Sequence, residues 1–154
     1  MPCPTHYFWY VASSVLYNKR MIRNQSSERQ NRIANGFCRF CLQPRILTHN
    51  QLCEKHYVSN CAKAALGRCD NQVTAILIDR FNNNPVCPYT GEMLVLGVNA
   101  HLDHIESRRN RPDLARDIDN LEWISEKANL AKNGMSKNEF IQFCSLITAF
   151  TKSP

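Results

Sequence analysis

No stretch of this sequence holds the roughly 18 consecutive apolar residues that a helix needs to cross a bilayer, although 44% of its 154 residues are hydrophobic. No transmembrane helix is therefore expected. No export signal is expected either. The apolar stretch from Tyr7 to Leu16 has no Lys or Arg before it and no A-x-A-like cleavage site after it. That stretch reads as a core or docking helix, and the chain as soluble and intracellular, cytoplasmic by default. No internal repeat or low-complexity tract is visible, which leaves out repeat architectures. At 17.8 kDa there is no room for a large multidomain enzyme; one small domain with an appended module is the expected organisation.

Positive charge is present, and it is concentrated. Between Asn18 and Arg45 lie seven basic residues (Lys19, Arg20, Arg23, Arg29, Arg32, Arg39 and Arg45) against a single acid, Glu28. The rest of the chain is neutral, so the whole net charge of +6 sits in this segment. Such a segment fits a polyanionic partner, most simply nucleic acid, through phosphate neutralisation and counterion release. A solvated basic linker is the alternative.

Eight cysteines are many for this length. In a reducing compartment closely spaced Cys and His residues bind zinc more often than they form disulfides. Cys38-x2-Cys41 and Cys53-x2-His56 make two pairs, each with the gap that lets a tight turn aim two side chains at one ion. Together they offer the Cys3His shell that tetrahedral Zn²⁺ takes. Binding would also stabilise a segment too short and polar to fold by burial alone. Cys61 and Cys69 have no partner at comparable spacing; burial is their expected role, ligand replacement the other.

Three regions follow: 1–35, a basic helix or linker; 36–66, the zinc-binding module; and 67–154, with a C-terminal helix. Helical periodicity predicts short helices over Tyr57 to Leu66 and Gln72 to Phe81. Pro88 to Glu92 reads as a turn, and Met93 to Ile105 as extended structure. Leu121 to Ile124 is a second apolar run, followed by a helix with Ser125 as N-cap that closes near Gly134. Ser136-x-x-Glu139 is a capping box opening an amphipathic helix through Phe140, Phe143, Leu146, Ile147 and Phe150. Trp123 and Phe140 are expected in the core. The expected fold class is α+β.

The polar residues of the 93–134 stretch fall into a pattern: His101-Leu102-Asp103-His104 near the end of one strand, Asn120 before the next, and Asn129 on the helix after it. Phosphodiester hydrolysis needs an activated water and neutralisation of the transition-state charge. An imidazole, with an ordinary pKa of about 6.5, is a suitable general base. Alternation along a strand lets Asp103 hold a metal while His104 faces a phosphate.

Over about 45 residues this pattern resembles the HNH nuclease family and its ββα-metal core. The resemblance implies a metal-dependent DNA endonuclease with His104 as general base and Asp103 and Asn129 as ligands of Mg²⁺ or Mn²⁺. It gives Asn120 the supporting role of bonding across the loop to fix His104, and it implies 5′-phosphate and 3′-hydroxyl products. The last position is Asn129 rather than His, a variant that keeps an oxygen ligand for Mg²⁺. Where many HNH domains carry two Cys pairs for a structural zinc, this chain has Cys87 with Thr90 and Ser125 with Ala128; that zinc is expected to be absent.

The His101 run is similar to that of phage junction-resolving endonucleases of the endonuclease VII type. His101 is either an accessory to metal or phosphate binding or a half-exposed strand histidine. Arg108, Arg109 and Arg111 are candidate phosphate contacts beside the site, as are Lys19, Arg20, Arg23, Arg29 and Arg32 in the basic segment. The expected role is that of a homing-type or restriction-type nuclease, acting as monomer or homodimer. A junction resolvase, or a non-catalytic zinc-containing nucleic-acid-binding protein with a degenerate nuclease core, is the alternative.

Overall fold

A computed structural model describes residues 25–46 and 51–152. Lys19, Arg20 and Arg23, and the apolar stretch from Tyr7 to Leu16, lie outside them. Among the described residues no helix is long and apolar enough to cross a membrane.

The described residues form a small α+β unit of five helices and one two-stranded antiparallel sheet. Helix α1 covers 25–34 and leads into the cysteine-rich turns. Helix α2 (Glu54–Leu66) buries Val58, Ala62 and Leu66, spaced by four on one face. It ends where Gly67 adopts a left-handed conformation (φ 71°), which a glycine enters without a Cβ clash. Asp70 then caps helix α3 (Asn71–Asn83), its carboxylate accepting from the Val73 N–H at 2.8 Å. The α3 face of Thr74, Leu77 and Phe81 packs on α2.

Strands β1 (Ala100–His104) and β2 (Leu121–Ser125) pair with His101 opposite Ile124 and Asp103 opposite Glu122. Trp123 anchors β2 to α3: its ring meets Phe81 edge-on at 5.5 Å, and its indole N–H donates to the Leu77 carbonyl at 3.0 Å. Ser125 caps α4 (Glu126–Lys132) through the Ala128 N–H. Ser136 and Glu139 form a complete capping box at the start of α5 (Lys137–Thr151). One hydrophobic core contains Val58 and Ala62 of α2, Leu77 and Phe81 of α3, and Trp123, Ile124 and Ala128 of the strand–helix unit. It thus runs across the boundary placed at residue 66, and α2 belongs to the zinc-ligand segment and to the main core at once.

One expectation is corrected. Extended structure predicted over Met93 to Ile105 is confined to Ala100–His104. Residues 93–99 turn instead, because the Asn99 side chain accepts from the Val95 N–H at 2.7 Å and donates to the Met93 carbonyl at 3.0 Å, while Gly97 takes φ 77°. Helix α5 is present as expected, and among the described residues most of its apolar face is uncovered. Phe140 alone of that face is buried, edge-on to Tyr89, whereas Phe143, Leu146, Ile147 and Phe150 are exposed.

Candidate functional sites: a Cys3His cluster and a polar cleft

The Cys3His cluster is assembled by two turns and a helix start. Cys38 and Cys41 flank a turn closed by Cys38 N–H to the Gln43 carbonyl at 2.9 Å. Cys53 is the N-cap residue of α2, with His56 one turn in. The three sulfurs and the His56 ring nitrogen all lie within 4.8 Å of one another. Cys41 and Cys53 Sγ are 3.6 Å apart, and His56 Nδ1 is 3.4, 3.6 and 3.2 Å from Cys38, Cys41 and Cys53. Tetrahedral zinc, with bonds of about 2.3 Å to sulfur and about 2.0–2.1 Å to nitrogen, puts S···S near ~3.8 Å and S···N near ~3.6 Å. The donors fit that polyhedron, and the group can hold a metal ion such as zinc. Among the described residues it is the one such His/Cys/Asp/Glu group.

Burial pushes the Cys53 thiol up to about 11. For Cys38 burial also pushes upward, but backbone N–H donors, Phe40 first at 3.4 Å, outweigh it and leave the thiol below its ordinary range. Cys61 and Cys69 stand outside the cluster. Cys61 packs against the main core, and the Cys69 sulfur lies 3.1 Å from the Thr74 hydroxyl.

A second group of polar residues lines a cleft of about 450 Å³ between β1 and α2. His101 and Asp103 share a face of β1, and Asn129 reaches the same cleft from α4, its Nδ2 3.1 Å from His101 Nδ1. His104 ends the strand, is only 5% exposed, and has Nε2 at 3.2 Å from the Ala115 carbonyl. A carbonyl can only accept, so Nε2 carries the proton, and Nδ1 has no hydrogen-bond partner among the described residues. The opposite wall is α2, through Tyr57, Cys61, Ala64 and Ala65. Tyr57 ties that wall to β1 by donating to the Ala100 carbonyl at 3.3 Å, and burial pushes its phenol up to about 12.

Asn120 holds the loop between the strands. Its Oδ1 accepts from the Glu106 N–H at 2.7 Å, and its Nδ2 donates to the carbonyls of Glu106 and Leu114 at 3.0 and 3.2 Å. It is 5% exposed. Leu114 precedes Ala115, so Asn120 also steadies the carbonyl that orients His104.

One residue of this site has no place in the sequence reading. Lys132, at the end of α4, is 1% exposed and donates to Asp103 Oδ2 at 2.8 Å and to the His104 carbonyl at 2.7 Å. A lysine near a helix end ordinarily signals a solvated, dipole-complementing charge. The available hint was its position four residues after Ala128, on the buried face of α4. Comparison with family models, with curated proteins and with solved structures gives no match for this chain.

The candidate phosphate contacts differ in their surroundings. Arg108 lines the cleft and, like Arg109, is exposed. Arg111 is instead held by Asp113 in a forked pair (2.9 and 2.6 Å), which keeps the Asp113 carboxyl below its usual range. Arg29 and Arg32 lie on α1, beside the Cys3His cluster rather than the cleft. Cys87 and Ser125 meet in the core, the Cys87 sulfur accepting from the Ser125 N–H at 3.3 Å, with Ala128 N–H on the Ser125 hydroxyl at 3.2 Å.

Proposed function

We propose that this chain is a metal-dependent DNA endonuclease of the HNH type, with the polar cleft as its active site and zinc in the Cys3His cluster. The observation that carries the reading is the convergence of Asp103, His104 and Asn129 on one cleft, with His104 held as the Nε2–H tautomer by Ala115. The proximity of Cys87, Ser125 and Ala128, where many HNH domains bind structural zinc, is consistent with a ββα core that has replaced that metal with hydrogen bonds.

The donor set suits Mg²⁺. Lys132 takes Oδ2 of Asp103 and leaves Oδ1, and His101 engages the Asn129 nitrogen and leaves its oxygen. Two oxygens and an open remainder are what a cation that keeps waters and accepts phosphate oxygens uses. When bound, the ion would neutralise charge at the scissile phosphate and stabilise the departing 3′ oxygen. His104 takes the proton of the attacking water at Nδ1, and Asn120, through Leu114, keeps the Ala115 carbonyl in register behind it. Arg108 and Arg109 contact neighbouring phosphates. The products carry 5′-phosphate and 3′-hydroxyl ends, and a homing-type or restriction-type role fits the appended zinc-ligand segment.

One observation favours a second reading. Lys132 already places a cation on Asp103, which suits a zinc-containing protein that binds nucleic acid without cutting it. Incubation of the full chain with supercoiled plasmid separates the two: cutting that requires Mg²⁺ or Mn²⁺ supports the nuclease, and intact plasmid with retained DNA binding supports the alternative.

A further inference from the structure

Three arginines gather on the Cys3His cluster, and among the described residues no acid answers them. The guanidinium carbons of Arg29 and Arg39 lie 5.7 and 5.1 Å from the centroid of the Phe40 ring, and Arg32 donates to the Arg39 carbonyl at 3.1 Å. Phe40 in turn packs 5.3 Å from the His56 ring, and its N–H donates to the Cys38 sulfur. The metal-binding turn therefore positions the arginine platform. The Nε atoms of all three arginines are buried without a hydrogen-bond partner, and no carboxylate pairs with any of them among the described residues.

Like charges gathered around one ring repel, and stacking on that ring, worth roughly 0.5–1 kcal/mol at an exposed site, opposes the repulsion. An anion is the missing component. We infer that Arg29, Arg32 and Arg39, arranged on Phe40, form a phosphodiester-binding site separate from the cleft, which grips the nucleic-acid backbone without reading bases. The guanidinium N–H forks match phosphate oxygens, and the phosphate backbone offers the same oxygens whatever the base sequence. The inference rests on DNA being the partner, as proposed above, but not on cleavage.

The test is binding of the full chain to labelled random-sequence duplex DNA, without Mg²⁺, over a range of salt concentrations, with zinc content measured in parallel. Each phosphate contact removed lowers the slope of log affinity against log salt by about 1, uniformly across sequences. Arg29→Gln/Arg39→Gln is expected to lower it by about 2 on that basis. Arg29→Gln alone, which removes only a stacked guanidinium, is expected to lower it by about 1 and guards against loss of the knuckle in the double variant. Unchanged slope and affinity with zinc retained would overturn the site. A loss that depends on DNA sequence would overturn its assignment to the backbone. A chain that binds as described but never cuts contradicts only the nuclease reading.

Discussion

Replacing Lys132 with Met removes a fully buried charge from behind the cleft while keeping its volume. Lys132 is 1% exposed, and its ammonium holds both the Asp103 carboxylate and the His104 carbonyl. Breaking a buried pair by deleting one partner costs about 3–5 kcal/mol, because the surviving charge is left without compensation. The Asp103 side chain is 25% exposed, so water relieves part of this and the lower end, about 3 kcal/mol, is expected. For a chain of this size that is a fall in Tm of roughly 6–12 °C. The decisive assay is a double-mutant cycle followed by thermal and urea unfolding. With Asp103→Asn already in place there is no carboxylate to strand, and Lys132→Met is expected to cost at least ~1 kcal/mol less than in the parent. Equal costs in both backgrounds would refute the pairing of Lys132 with Asp103 as the reason the lysine is buried.

Three further outcomes follow from named contacts. Metal analysis of the purified chain is expected to find about one zinc, lost in Cys38→Ala and His56→Ala; because His56 and the cleft-wall residue Tyr57 are neighbours on α2, the proposed nuclease reading expects cleavage to be lost in both variants too, and zinc retained in both would mean that Cys61, Cys69 or Cys87 supplies ligands. Asn120→Ala removes three hydrogen bonds from a buried loop staple, for an expected loss of about 2–3 kcal/mol by urea unfolding, and Asn120→Asp, which keeps the acceptor for Glu106 N–H but sets a buried carboxylate against the Glu106 and Leu114 carbonyls, is expected to cost at least as much at neutral pH; a loss under about 1 kcal/mol in Asn120→Ala would contradict the staple. The Ser136 backbone N–H, with its side chain, holds the Glu139 carboxyl below its ordinary range, so the capping box contributes above the unfolded carboxylate pKa and is lost as pH falls through the lowered one; Glu139→Gln is expected to flatten that acid limb of Tm, and an unchanged limb would exclude the box as its source.

The parts that were legible in the sequence share a cause: short-range spacing. Two-residue gaps brought Cys38, Cys41, Cys53 and His56 within 4.8 Å, and the capping signals at Ser125 and Ser136 marked the helix starts. The order of Asp103, His104, Asn120 and Asn129 pointed to residues that line, or hold, one cleft. Long-range consequences were not legible. Met93 to Asn99 has strand-like composition, but the Asn99 side chain satisfies backbone groups at Val95 and Met93 and makes a turn. Spacing from Ala128 marks the α4 face of Lys132, but its partners Asp103 and His104 come from β1, distant in sequence. Periodicity gave α5 an apolar face, but it cannot say what covers Phe143 to Phe150. The basic segment predicted charge, not that Arg29 and Arg39 stack on Phe40.

The central claim is that His104, oriented by the Ala115 carbonyl, abstracts a proton in a metal-dependent cleavage of DNA. Plasmid cleavage by the parent and by His104→Ala, each with Mg²⁺ and with the divalent ion withheld, tests it most directly. Mg²⁺-dependent cutting that leaves 5′-phosphate ends is expected in the parent, with a rate lower by about 10²–10⁴-fold in His104→Ala. Cutting by His104→Ala at the parent's rate, or no cutting by a zinc-loaded parent with either Mg²⁺ or Mn²⁺, would contradict it.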